Sequence, residues 1–366
     1  MLKWTRAASV VLSQETAPRN YPNDDTKIRF PRMKRVKDLA EKKLIERLNG
    51  LVTISTNDLL AKYDDVFYLE SRGRSNVVVH ADMLIGKTDI PAVMDYYHVG
   101  VKAVIMNVSD LIVKGVVPRG MVVSLGIPGN MFLKNFDKLI QGIGQTSQNY
   151  GIQYLGGDLN EADDVIVDIM MIGFHEEALV PRKGIKPSNI VATTGEFGFT
   201  TSGLHLVLNG LEKDADVKYQ PCLDAVLRPT LNYDAILNIA RKQGVVASID
   251  SSDGLASSLL DLMDVNECGF LIDSMKPNPI LEEFSTEYHV SVPDLLFNGG
   301  EEYHAIFIID DQKWPEIKAD ASKNNFYLQK IGHVIQEKKV LFKEHGSKEL
   351  KEITKRGYEH FSPHVL

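Results

Sequence analysis

The chain has 366 residues, 44% of them hydrophobic, and its 49 acids against 41 bases leave a formal net charge of -8. That length suits two globular domains with real cores. The acidic surplus, with no basic run beyond the short cluster Arg32 to Lys37, argues against a nucleic-acid partner and for a protein that handles cations. No apolar run reaches the ~18 residues of a membrane span, and Ala7 to Leu12 is too short for the apolar core of a signal peptide. Cys222 and Cys268 stand far apart and outside any C-x-x-C pair, the pattern of reduced cysteines in a cytoplasmic protein.

In chain order, residues 1–32 are polar and broken by Pro18, Pro22 and Pro31; they read as a disordered extension, with Met33 an alternative start. A helical period begins after Val36, with Leu39, Leu44, Ile45 and Leu48 on one side. Strands are expected at Val66–Leu69 and Val77–Val79. A long helix is expected from Tyr96 to Val113, stopped by Gly115 with Pro118 beyond. Met121–Leu125, Ile152–Leu155 and Val165–Phe174 read as strands and Phe132–Tyr150 as a helix, completing an N-terminal α+β domain over 33–180. The composition turns polar across Pro181 to Pro187, which marks the start of a second α/β domain over 181–366. There the pattern predicts strands at Ile190–Thr194, Val246–Ile249, Phe270–Ile272 and Ala305–Ile309, and a closing strand near Val340. Helices are expected near Leu204, from Ala225 to Gln243, and from Ala256 to Met263.

Acids recur where apolar runs end or are interrupted. Asp64-Asp65 precedes a strand; Asp82 closes the run from Val77; Asp110 lies inside an apolar helix; Asp158 follows Gly156-Gly157; Asp250 and Asp253 flank Ser251-Ser252. One such acid is ordinarily solvated surface or a cap. Six such positions, with Asp64-Asp65 taken as one, form a pattern, because carboxylates converging in a cleft repel one another unless hard cations sit among them. Magnesium takes oxygen ligands and shares them with substrate phosphates, so the pattern points to phosphoryl transfer. A tempting alternative fails: Ala81-Asp82-Met83-Leu84-Ile85-Gly86-Lys87-Thr88 resembles a P-loop, but Ala81 stands where the first glycine must let the backbone curl around phosphate. Protein-kinase signatures are absent as well.

The series Asp64-Asp65, Ala81-Asp82-Met83-Leu84, Asn107-Val108-Ser109-Asp110, Gly156-Gly157-Asp158, Asp250-Ser251-Ser252-Asp253-Gly254-Leu255 and Gly299-Gly300-Glu301-Glu302-Tyr303 resembles the thiamine-monophosphate kinases, with archaeal-type members closest. The link Lys183-Gly184-Ile185-Lys186-Pro187 belongs to the same resemblance, which runs from about Met33 to Phe361. It implies the two-domain α/β fold of the aminoimidazole ribonucleotide synthetase superfamily, with N-terminal domains pairing into a barrel across a homodimer axis. It implies ATP and thiamine monophosphate as substrates and several Mg2+ ions. Asp65, Asp82, Asp110, Asp158, Asp250 and Asp253 would be the metal ligands. Gly157, Asp158, Arg182 and Ser252 would contact ATP, and Asp89, Glu301 and Tyr358 would face thiamine monophosphate. No covalent nucleophile or general base is implied.

This chain also departs from the family. His80 and Ala81 stand where hydroxyl residues are usual, so only a backbone carbonyl could serve as a ligand at residue 81. Asp89 replaces a substrate-side histidine, Glu302 replaces an aspartate, and Ala40 replaces a glycine. The competing readings are another ATP-dependent member of the superfamily, such as an aminoimidazole ribonucleotide synthetase, and a non-catalytic dimer that binds nucleotide and metal. A selenophosphate synthetase would need a reactive cysteine in an N-terminal loop, and there is none before Cys222.

Overall fold

Buried and less buried side chains alternate along Asn76–Ile85 and Ile166–His175, building two long strands whose inward residues Val78, Leu84, Val167, Ile169 and Met171 are shielded from water. The structure, a computed structural model, describes residues 39, 41–49, 51, 64–69, 75–175, 179–344, 346 and 348–354. The expected extension over 1–32, Ala40 and Tyr358 lie outside the described residues.

The first half consists of α1 (Glu41–Asn49), β1 (Phe67–Leu69), β2 (Asn76–Ile85), the single turn α2 (Gly86–Asp89), α3 (Tyr96–Val113), β3 (Val117–Ile127), α4 (Leu133–Asn149), β4 (Gln153–Glu161) and β5 (Ile166–His175). Its sheet has the order β1-β2-β5-β3-β4, antiparallel throughout except for the parallel pair β3–β4. Helices α3 and α4 cover one face. Among the described residues no helix packs on the other face, where Met83, Met170 and Phe174 are exposed. The sheet is open, with β1 and β4 as its edges.

The second half consists of β6 (Ile190–Thr193), α5 (Phe199–Leu208), α6 (Gln220–Leu227), α7 (Tyr233–Ala240), β7 (Val245–Asp250), α8 (Leu255–Asp264), β8 (Gly269–Ile272), α9 (Pro279–Tyr288), α10 (Val292–Asn298), β9 (Ala305–Ile309), α11 (Trp314–Lys323), β10 (Gln329–Ile335), β11 (Val340–Lys343) and β12 (Leu350–Glu352). The seven-stranded order is β12-β11-β8-β10-β6-β9-β7. Strands β6 and β9 are buried at every residue. Ile190, Ala192, Ala305, Phe307 and Ile309 join Ile236 and Ile239 of α7 in one core that is continuous with the core of the first half. Val191, Ile306 and Ile308 face a second core with α5, α6, α8, α9 and α10. The two halves are therefore welded through apolar packing, and α3 lies along the weld against α7 and β7.

Three expectations change. β2 runs on through Asp82 to Ile85, because β5 pairs with it along its whole length. The helix expected over 225–243 is two helices, α6 and α7: Pro229 has no N–H to donate and bars helical geometry at Arg228. Gly156, Gly157 and Asp158 lie inside β4 rather than after it, since β3 pairs with them in parallel register.

Candidate active site

Helix α3 carries the site's polar groups on an otherwise apolar rod. Asn107, Asp110 and Lys114, the residue capping its C-terminus, follow the i, i+3, i+7 spacing of one helical face. Beyond Val79, the last β2 residue paired with β1, no strand among the described residues lies beside the β2 edge. Asn107 takes over there: its Oδ1 accepts from Asp82 N at 3.1 Å while its Nδ2 donates to Ala103 O at 3.0 Å. Asp82 Oδ1 also accepts from Met83 N at 2.8 Å, which fixes the carboxylate. From the second half, Asp250 ends β7 and its Oδ2 accepts from Ser109 Oγ at 2.8 Å across the domain junction.

Asp64 and Asp65 enter from before β1. Lys114 Nζ lies 2.8 Å from Asp64 Oδ1 and 2.7 Å from Asp65 Oδ2, and it donates to Ser248 O at 2.7 Å. The Arg182 guanidinium pairs with Asp65 Oδ1, and Arg182 N donates to Asp64 Oδ2 at 3.2 Å. His80 Nδ1 is 2.7 Å from Asp65 O, and its Nε2 is 3.1 Å from Asp110 Oδ2.

Two groups of ligand atoms converge to within 4.8 Å: His80, Asp82 and Asp110, and Asp65, Asp110 and Asp250. Asp110 belongs to both. Burial is the largest cause of every shift here. It raises Asp110 well above the ordinary carboxyl range, with the charges of Asp250 and Asp82 adding to it. It raises Asp82 and Asp250 as well, and lowers His80. A protein interior pushes clustered carboxyls this way when no cation offsets them. The donor set is hard oxygen plus one imidazole, which fits magnesium at the carboxylates.

The loops around Asp253 and Glu301 are knitted together. Glu301 N donates to Ser252 O at 2.6 Å and Tyr303 N to Ser251 O at 3.0 Å. Gly254, at φ 98°, has Gly299 O where a Cβ would sit, so the approach needs glycine. Ser252 and Asp253 are exposed, and the charge of Asp253 is felt at Asp110. Glu301, at φ 66°, receives Lys102 Nζ, which also donates to Asp89 O at 2.5 Å; the Lys102 side chain is only 2% exposed. Asp89 Oδ2 accepts from Ile85 N at 2.7 Å, closing the turn after β2.

The structure therefore brings Asp65, Asp82, Asp110 and Asp250 together, with Arg182 and Asp253 beside them. Asp158 stands apart: it is exposed on edge strand β4 and accepts from Asn160 Nδ2 at 2.6 Å. Gly157 runs against the backbone of β3 at Val123, with no room for a side chain. The roles of Lys102, Asn107, Ser109 and Lys114 were not assigned from sequence. Their signal was the polar stripe on α3.

Family comparison agrees with this anatomy. Residues 63–175 match the N-terminal domain of AIR synthase related proteins, and residues 186–343 match the C-terminal domain. The thiamine-monophosphate kinase of Nitrosopumilus maritimus is 28% identical over 288 residues, covering 79% of this chain and 90% of that protein. The Pyrococcus horikoshii enzyme of the same name is 30% identical over 244 residues, 67% of this chain and 76% of that protein. Among solved structures, AaThiL complexed with AMPPCP and TMP superposes with a TM-score of 0.77 at 22% identity, over 90% of this chain and all of that one. The two-domain α/β fold is thus that of the AIR synthase relatives, and the chain belongs to the thiamine-monophosphate kinase family.

Proposed function

We propose that this protein transfers the γ-phosphoryl group of ATP to thiamine monophosphate, giving thiamine diphosphate. The observation that carries the proposal is the convergence of ligand atoms at the junction of the two halves in two groups that share Asp110, one with His80 and Asp82 and one with Asp65 and Asp250, each spanning no more than 4.8 Å. Magnesium would be held by Asp65, Asp82, Asp110 and Asp250, with Asp253 and Asp158 serving further ions, and it would supply charge neutralisation at the moving phosphoryl group. Arg182 would release part of its hold on Asp65 to meet a nucleotide phosphate, and Gly157 and Ser252 would offer backbone and hydroxyl contacts to ATP. Glu301, oriented by Lys102, and Asp89 would line the thiamine side. The acceptor is already an anion at neutral pH, so direct in-line attack needs no protein base; rate comes from positioning and preorganised charge. The uncovered face of the first sheet, with Met83, Met170 and Phe174, supports pairing with a second copy as a homodimer. Two observations are compatible with a cytoplasmic setting: both cysteines are free and buried, and no helix among the described residues is long and apolar enough to cross a membrane.

The test is chemical. Purified protein with ATP and magnesium should convert thiamine monophosphate, and not free thiamine, to thiamine diphosphate. No product from thiamine monophosphate would refute the assignment, and turnover of a different phosphorylated acceptor would favour another member of the superfamily. Size-exclusion chromatography with light scattering tests the dimer.

A further inference from the structure

Lys114 sits one residue beyond α3 with its side chain fully buried. Its ammonium group lies 2.8 Å from Asp64 Oδ1 and 2.7 Å from Asp65 Oδ2 and donates to Ser248 O, while Asp65 Oδ2 itself accepts no hydrogen bond, so what Lys114 gives the Asp65 carboxylate there is charge. A lysine is almost never this deep unless paired. The two carboxylates it meets are consecutive in the chain, are 2% and 1% exposed, and lie at the negative end of a helix of 18 residues. A helix C-terminus disfavours acids, and two neighbouring acids disfavour each other. Arg182 helps at Asp65 Oδ1, but its own side chain is partly open to solvent, whereas Lys114 is enclosed on every side.

We propose that Lys114 is a resident cation of the acidic cleft, a positioning residue that compensates the Asp64–Asp65 pair in place of a divalent ion and so sets Asp65 for its ligand role before magnesium binds. The proposal rests on the kinase reading only for which ion is physiological. Its test uses no substrate, so a protein that failed to make thiamine diphosphate could still pass it. The competing role is a mere tie, in which Lys114 matters only for holding the Ser248 carbonyl of β7 to the end of α3.

Lys114→Gln keeps a donor for Ser248 O and removes the charge. In chelator-treated buffer its melting temperature should fall by on the order of 5–10 °C, the scale expected when a buried ion pair loses one partner. Added Mg2+ or Mn2+, without nucleotide, should recover most of that fall, raising the melting temperature of the variant by more than that of the wild type. A Mn2+ titration followed by electron paramagnetic resonance should show a further bound ion in the variant. The double variant Asp64→Asn/Lys114→Gln removes one negative charge with the positive one. It should regain the metal-free melting temperature and lose the extra Mn2+ site. A fall that neither divalent ions nor Asp64→Asn repairs would overturn the proposal, and so would wild-type melting in Lys114→Gln. If the single variant does not fold, a soluble double variant supports the proposal and an insoluble one refutes it.

Discussion

Glu302 offers a measurable pH dependence of stability away from the metal cluster. It lies in the loop Gly299–Tyr303, only 6% exposed, and its Oε1 accepts from Gly198 N at 2.6 Å at the start of α5. Burial pushes its carboxyl up to about 8 from an ordinary 4.5, against the opposing pull of the Gly198 and Thr200 hydrogen bonds. The folded chain therefore keeps this proton to a higher pH than the unfolded chain does. The stability it contributes is complete below about pH 4.5 and is lost as pH rises toward 8, where the dependence levels off. Each pH unit inside that window costs about 1.4 kcal/mol, so roughly 3 kcal/mol goes between pH 6 and pH 8. Glu302→Gln abolishes the titration while its amide oxygen still accepts from Gly198 N. Urea unfolding of both proteins at pH 6, 7 and 8 cancels every other titrating group in the difference. The wild type should lose on the order of 3 kcal/mol relative to Glu302→Gln across that range. Parallel profiles would refute the reasoning. Such parallel profiles would mean that Glu302 is already ionised in the folded chain at pH 6, with the positive end of α5 outweighing burial.

Asp110→Asn should cut turnover by about 100-fold or more, the scale of losing a preorganised charge at a transition state, without unfolding the protein. Its melting temperature without metal should hold or rise, since the repulsion with Asp250 and Asp82 is relieved, while the rise given by magnesium and an ATP analogue should shrink. Asp311→Asn, at an exposed acid, serves as the control and should match wild type in both melting curves and steady-state rate. Arg182→Ala should raise the Michaelis constant for ATP more than that for thiamine monophosphate; equal effects, or none, would make its pairing with Asp65 purely structural. A chain beginning at Met33 should keep solubility and turnover, and loss of either in a direct comparison with the full chain would give residues 1–32 a structural role.

The acids could be found in the sequence because each breaks an apolar run, and a buried run tolerates a carboxylate only for a reason. Helix α3 holds more such interruptions. Lys102, Asn107 and Lys114 are as foreign to the stretch Val99–Val113 and its cap as Asp110 is, yet a lysine or asparagine in a helix reads as solvent-facing until the packing of α7 and β7 on that helix is known. The second half was harder to read for a local reason. Helices α9, α10 and α11 each carry proline in the first turn, where it costs no hydrogen bond, and proline in a sequence looks like a stop. Strand β10 is hidden by Lys330, Gly332 and His333, which interrupt its alternation.

Which acids meet is a different matter, because it depends on register between distant segments. Asp250 reaches Ser109 only because β7 is the edge strand lying along α3. Asp158 shows the converse. Across the first sheet the rows run Asp82–Ile169–Val123–Gly157 and Met83–Asp168–Ser124–Asp158. Ile169 and Val123 are buried under the helices, so Asp82 shares the helix-covered face and Asp158 the uncovered one. Strand order adds three interstrand steps between β2 and β4, about 14 Å at the usual spacing. Magnesium bonds its ligands at about 2 Å, so Asp82 and Asp158 of one chain cannot hold the same ion. If both are ligands, they serve different ions, and the row of Asp158 opens onto the face left for a second copy.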